Sequence, residues 1–143
     1  IGSAALEDPE FLTRAVEQYG ERIAVGIDAR DGFVQTRGWV KTTAVKATDL
    51  AKAVAAIGVK TIIYTDTATD GMLGGPNLVQ MAAICDAAPS CRVTASGGVS
   101  SPTDVKNLLA LGRPNLRAAI VGKALYDGRA TLRVMNEAAD GKV

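Results

Sequence analysis

The sequence predicts an α/β fold in which short parallel strands alternate with helices. Three observations carry this prediction. Hydrophobic residues make up 48% of the chain but aromatics only 4%, so Ala, Val, Ile and Leu must do the packing, as they do where helices lie on a parallel sheet. Short, nearly continuous apolar runs recur, the mark of strands buried on both faces. Between them lie longer stretches with apolar residues at helical spacing, so the order reads α and then βα four times. With 143 residues the chain suits a single domain, residues 1–143, with a real core.

Taken in order, Ile1-Gly2-Ser3 reads as the tail of a strand. The chain opens with neither Met nor a leader-like segment, so it is expected to begin inside a fold. Asp8 caps a helix with Pro9 in its first turn, and Phe11, Leu12, Ala15, Val16 and Tyr19 follow at helical spacing up to Gly20. Arg22 to Ile27 is an apolar strand ending in Asp28. A polar loop from Arg30 to Gly38, with a hairpin turn at Asp31-Gly32, leads to Trp39, the only tryptophan. Thr48 or Asp49 opens the next helix, through Leu50, Val54 and Ile57 to Gly58. Lys60 to Thr65 is the second strand, followed by a loop rich in Gly, Asp and Thr from Thr67 to Pro76. Asn77 starts a third helix running to about Ala88. Arg92 to Ser96 is the third strand; it breaks at Gly97-Gly98 and enters a helix capped by Ser100 or Ser101, with Pro102 in its first turn and Gly112 at its end. Leu116 to Val121 is the fourth strand, and the last helix runs from about Thr131 to Ala138.

Composition removes several function classes. The net charge is +1 with both signs interspersed, which is no footprint for nucleic acid or a membrane surface, and no stretch is long enough to span a bilayer. Two cysteines, Cys85 and Cys91, make no disulfide framework and fit a cytoplasmic protein. The absence of histidine removes His-based triads and the usual zinc sites, and it leaves carboxylates as the main acid–base candidates.

An internal echo sharpens the architecture. Ile1-Gly2-Ser3-Ala4-Ala5-Leu6 resembles Val121-Gly122-Lys123-Ala124-Leu125-Tyr126, about 120 residues further on. Four βα units of about thirty residues span that distance, so the chain reads as one half of a doubled (βα)8 barrel.

In such folds the working residues lie at the C-terminal ends of strands. In order these ends are Gly2-Ser3, Asp28, Thr65-Asp66 with Asp70 beyond, Ser96-Gly97-Gly98, and Gly122-Lys123. Carboxylates and a hydroxyl stand in the middle, with glycine-rich anion sites on the flanks, an order that suits a ligand with a phosphate at each end. Each residue also has a plainer reading. Asp28 either caps its loop or does acid–base work, and Asp66 ties its loop to the rim. Asp70-Gly71 is a common turn pair. Trp39 either covers the edge of the core or stacks on a planar ring. Lys123 either meets a phosphate or is a solvated helix-start residue. The paired glycines either cradle a phosphate or serve an ordinary βα turn.

One ordered set of motifs runs through the chain: Ile1-Gly2-Ser3-Ala4-Ala5, Gly26-Ile27-Asp28-Ala29-Arg30, Gly38-Trp39, Tyr64-Thr65-Asp66 with Asp70-Gly71, Gly75-Pro76-Asn77, Ala95 to Ser101, and Ile120 to Leu125. Together they resemble the second half of the phosphoribosylformimino-5-aminoimidazole carboxamide ribotide isomerases of histidine biosynthesis, along essentially the whole chain. The resemblance implies the C-terminal half of a TIM (βα)8 barrel, from the end of its fourth strand through its eighth helix. It implies an Amadori rearrangement of an aminoaldose to an aminoketose, on a bis-phosphorylated substrate, with no cofactor and no metal. By the same resemblance Asp28 matches the proton donor at the end of the fifth strand, Thr65 the threonine that orients the acid, and Asp70 a substrate-contacting aspartate. Trp39 matches a tryptophan that stacks on the substrate, with Arg37 beside it. Gly97, Gly98, Gly122 and Lys123 match one phosphate site; Gly2 and Ser3 match part of the other. The family's base, a first-strand aspartate, has no counterpart here, and Met72 stands where the family usually has threonine.

The competing readings are the related cyclase subunit of imidazole glycerol phosphate synthase, from which Gly38-Trp39 and Val121-Gly122-Lys123 differ, and a non-catalytic phosphate-binding half barrel. A half barrel also has two open sheet edges and, on this reading, an apolar inner face. The expected partner is therefore an N-terminal half barrel or a second copy, and the chain alone is expected to be inactive.

Overall fold

The computed structural model describes residues 1–142. The apolar runs become strands because each buries every second side chain completely. Val25, Ile27 and Ala29 on β1 (Ala24–Arg30), Tyr64 and its neighbours Ile62 and Asp66 on β4 (Thr61–Asp66), and Val93 and Ala95 on β5 (Arg92–Ser96) share one sealed face. These strands run parallel, with β6 (Leu116–Ala119) beside β5. On the other side of β1, an antiparallel hairpin of β2 (Phe33–Thr36) and β3 (Lys41–Lys46) completes an open six-stranded sheet in the order β3-β2-β1-β4-β5-β6.

Among the described residues seven α-helices accompany the sheet: α1 (Ala4–Glu7), α2 (Pro9–Tyr19), α3 (Ala47–Ile57), α4 (Leu78–Ala87), α5 (Pro102–Ala110), α6 (Lys123–Tyr126) and α7 (Leu132–Ala139). Leu12, Leu50, Val54, Met81, Ile84, Val105, Leu108 and Met135 join the sealed face in one core. Each fully buried Leu, Ile or Val there contributes roughly 1.5–3 kcal/mol. Ile1 lies alongside β1, its N donating to Ala24 O and its O accepting from Gly26 N, both at 2.8 Å, as a strand tail would.

Several boundaries differ from expectation for physical reasons. β1 extends to Arg30 because its last residues pair with the hairpin, Ala29 opposite Val34 and Arg30 opposite Phe33, which puts Asp28 on the strand rather than after it. The loop from Arg30 to Gly38 is largely strand, and β3 beyond Trp39 was not anticipated. α3 starts at Ala47 rather than at a Thr48 or Asp49 cap, because the Ala47 N–H is taken by Gly32 O at 2.8 Å. β6 ends at Ala119, short of Val121. The inner face is also not the apolar surface expected. On the central strands it carries Gly26, Asp28, Ile63, Thr65, Thr94 and Ser96, all half-buried, and only Ile63 is large and apolar.

Two buried hydroxyls among the described residues lack a partner, Thr36 Oγ1 and Tyr64 Oη. Tyr64 is fully buried, its hydroxyl has no partner, and burial, reinforced by the charge of Asp66, pushes its ionisation far above the usual phenol range. An orphan buried hydroxyl is destabilising. Tyr64→Phe is therefore expected to raise the unfolding free energy by about 1 kcal/mol, read from urea denaturation; a loss of stability would show a partner that the fold does not reveal.

Candidate active site

Parallel pairing places three polar side chains in lateral register across three strands. Asp28 is opposite Thr65, and Thr65 is opposite Ser96. Since neighbouring strands are about 4.8 Å apart, the row spans roughly 10 Å near the C-terminal ends of the strands. All three lie on the half-exposed face, so water or a ligand reaches them. No hydrogen bond joins Asp28 to Thr65; the Asp28 carboxylate is occupied from the hairpin side instead.

That occupant is Trp39, whose Nε1 donates to Asp28 Oδ2 at 2.8 Å. The indole reaches back because Arg37, Gly38 and Trp39 all take the left-handed conformation, with φ of 56°, 64° and 69°. For the two non-glycine residues this costs about 1–2 kcal/mol each. The turn is pinned at both ends, by the indole at Asp28 and by Arg37 N donating to Ser3 Oγ at 2.9 Å. The Arg37 guanidinium faces Glu7 at 3.6 Å, in an exposed pair. Ser3 thus meets the Trp39 turn directly, whereas Gly2 only accepts a backbone bond from Ala5.

At the other end of the row, a cavity of about 220 Å³ is lined by Asp70, Ser96, Gly97, Gly98, Gly122 and Lys123 among others. Ser96 belongs to both row and cavity and makes them continuous. The backbone N–H groups of Gly98, Val99, Gly122 and Lys123 find no acceptor among the described residues. The Lys123 Nζ is 3.3 Å from Gly71 O, bridging α6 to the loop that carries Asp70. Free amides and an ammonium around one hollow suit an anion. The α5 N-terminus itself is already occupied. Asp104 Oδ2 accepts from Ser100 N and Ser101 N at 2.9 Å, and Asp104 N donates to Ser101 Oγ at 3.2 Å.

The glycine pair has its own steric reason. A Cβ on Gly97 would lie 2.5 Å from Asp66 O, and one on Gly98 would collide with Gly75 O. Glycine is needed there by close backbone approach, so the anion argument rests on the amides and Lys123. Asp66, 2% exposed, ties down the following loop as anticipated: it accepts from Ala68 N at 3.0 Å, Thr69 N at 3.2 Å and Asn77 Nδ2 at 2.8 Å. Met72 is exposed on that loop.

The expected residues thus fall into two groups. Asp28, Thr65, Trp39, Arg37 and Ser3 stand towards one side; Asp70, Gly97, Gly98, Gly122 and Lys123 stand around the cavity. Asp70 is with the second group and not beside Asp28. Ser96, a strand-end residue in the sequence with no role assigned to it, lies two positions after Thr94 on the same face and joins the two groups. No group of three or more potential metal ligands exists among the described residues, and none of their helices is long and apolar enough to cross a membrane.

A family model described as "Histidine biosynthesis protein" matches residues 1–131. The curated relatives that the chain matches include proteins named 1-(5-phosphoribosyl)-5-((5-phosphoribosylamino)methylideneamino) imidazole-4-carboxamide isomerase. The protein from Listeria welshimeri is 51% identical over 137 residues, covering 96% of this chain and 55% of the relative. That from Geobacillus kaustophilus is 47% identical over 141 residues, covering 96% and 57%. That from Alkaliphilus metalliredigens is 48% identical over 132 residues, covering 92% and 54%. The chain spans about half the length of the curated relatives it matches. Fold, motif order and these matches agree: the chain belongs to the histidine biosynthesis protein family.

Proposed function

We propose that this chain supplies the C-terminal half of a cofactor-independent sugar-phosphate isomerase and carries the proton-donor side of an Amadori rearrangement. The observation that carries this reading is the row Asp28–Thr65–Ser96, which runs from a carboxylate under an indole to a hollow of free amides and Lys123. The relatives' names support the substrate class, a bis-phosphorylated aminoimidazole carboxamide ribotide. Opening the aldose ring needs an acid, and Asp28 is the one carboxyl in the row. Trp39 stacks on the substrate's planar ring beside it. One phosphate sits on the amides of Gly97–Val99 and Gly122–Lys123, and Gly2 and Ser3 contribute to the second site. Asp70, beside Ser96, contacts the sugar near the first phosphate.

The same reading assigns the partner and the missing base. Both belong to a complementary set of four βα units covering the half-exposed inner face and the β6 edge. Mixing the chain with the N-terminal half of one of the relatives tests this directly. Isomerase turnover is expected from the mixture and from neither part alone. A stable complex that binds the bis-phosphorylated ribotide but does not turn it over would favour a binding module instead.

A further inference from the structure

The polar side chains buried most deeply among the described residues gather at one junction: Gln35 and Thr36 on β2, Asp66 at the end of β4, and Thr67 just after it. These are the roots of two rim segments. β2 leads into the Trp39 turn, and Thr67 begins the loop that carries Asp70. The Thr67 hydroxyl donates to Gln35 Oε1 and lies 3.2 Å from Ala29 O, while Thr67 N donates to Ala29 O at 2.9 Å. Gln35 Nε2 in turn donates to Thr42 Oγ1 at 3.1 Å, and Thr42 sits directly opposite Gln35 on β3. A single amide therefore grips the strands entering and leaving the Trp39 turn and is itself gripped by the first residue of the Asp70 loop. Thr42 is exposed, but the Gln35–Thr67 bond is buried and has no water to exchange with, so parting the hairpin from the loop strands an unpaired polar atom.

We propose that Gln35 and Thr67 are positioning residues that couple the Trp39 turn to the Asp70 loop, so that the two rims over the open face move as one. Its bearing on catalysis rests on the isomerase reading above; the coupling itself does not. Amide hydrogen exchange on the intact chain tests it by reciprocity. Gln35→Met, a change on the hairpin side, should speed exchange across residues 68–76, and Thr67→Val, on the loop side, should speed it across 37–41, each about fivefold or more. Thr67→Ser, which keeps the hydroxyl, should match the parent in both segments. Met135→Ala, a core truncation in α7, should leave both unchanged. Acceleration confined to the altered segment, or equal acceleration by Met135→Ala, overturns the proposal. So does global unfolding of both Gln35→Met and Thr67→Val, since the pair would then hold the sheet rather than the rims. In the assembled isomerase, Thr67→Val should raise KM about tenfold with kcat less affected and Thr67→Ser restoring it. Reciprocal exchange without that KM effect would leave the coupling standing and overturn its bearing on catalysis, whereas an assembly with no turnover at all would count against the isomerase reading alone.

Discussion

Asp28→Asn is expected to lower kcat of the assembled isomerase about 10³-fold, the loss that accompanies removal of a general acid. The substitution suits the purpose because asparagine keeps the shape and can still accept the Trp39 indole hydrogen bond, now made at 2.8 Å. The pinned turn and the row of hydroxyls should survive, so KM should change less than about threefold. A proton donor is what disappears. Steady-state kinetics is the measurement. A variant keeping more than about a tenth of the parent kcat would show that another group supplies the proton.

The second large effect is on stability. Gly98→Ala is expected to cost about 3 kcal/mol or more, adding the strain of a left-handed alanine to a packing collision. The residue has φ of 81°, and its Cβ would meet Gly75 O as well as Thr69 Cβ at 3.0 Å. The obstructing carbonyl is backbone, so no rotamer change relieves it, and the loss is a large share of a typical domain's total stability. The loop from Thr67 to Pro76 would have to move off the sheet, opening the cavity and weakening inorganic phosphate binding with it. Gly2→Ala is the control, because nothing lies within 4 Å of its added carbon, and its stability should stay within about 0.5 kcal/mol of the parent. Urea unfolding of the two variants decides the matter; equal midpoints would show that the loop yields freely.

Much of this fold was legible because its signals are local. Asp8, Asn77, Ser101 and Thr131 each cap a helix through a side-chain oxygen, as residue type and the following apolar pattern implied. What stayed hidden depends on contacts distant along the chain. α3 dispenses with a side-chain cap because Gly32 O, fifteen residues earlier, serves its first turn. β3 carries no apolar run to betray it because it is an edge strand with lysines at both ends and four of its six residues exposed. The glycine pair signalled a phosphate and is equally required by Asp66 and Gly75, which only the folded backbone brings close. Strand-end positions located the row, but no spacing rule says that Trp39 would reach Asp28; that takes three successive left-handed residues. Gln35 and Thr67 look like solvent-facing loop residues in the sequence, and only the folded chain buries them together.

Trp39 is the only tryptophan in the chain, and its N–H is bonded to the carboxylate proposed as the acid. Under excitation at the red edge of the tryptophan band, where the three tyrosines do not absorb, the emission of this chain therefore originates at that one contact. Arrival of a planar ring at the indole, substitution of Asp28 or displacement of the turn must each register as a change in colour or intensity, with no label attached. The chain comes with its own optical gauge of the place where its chemistry is proposed to happen.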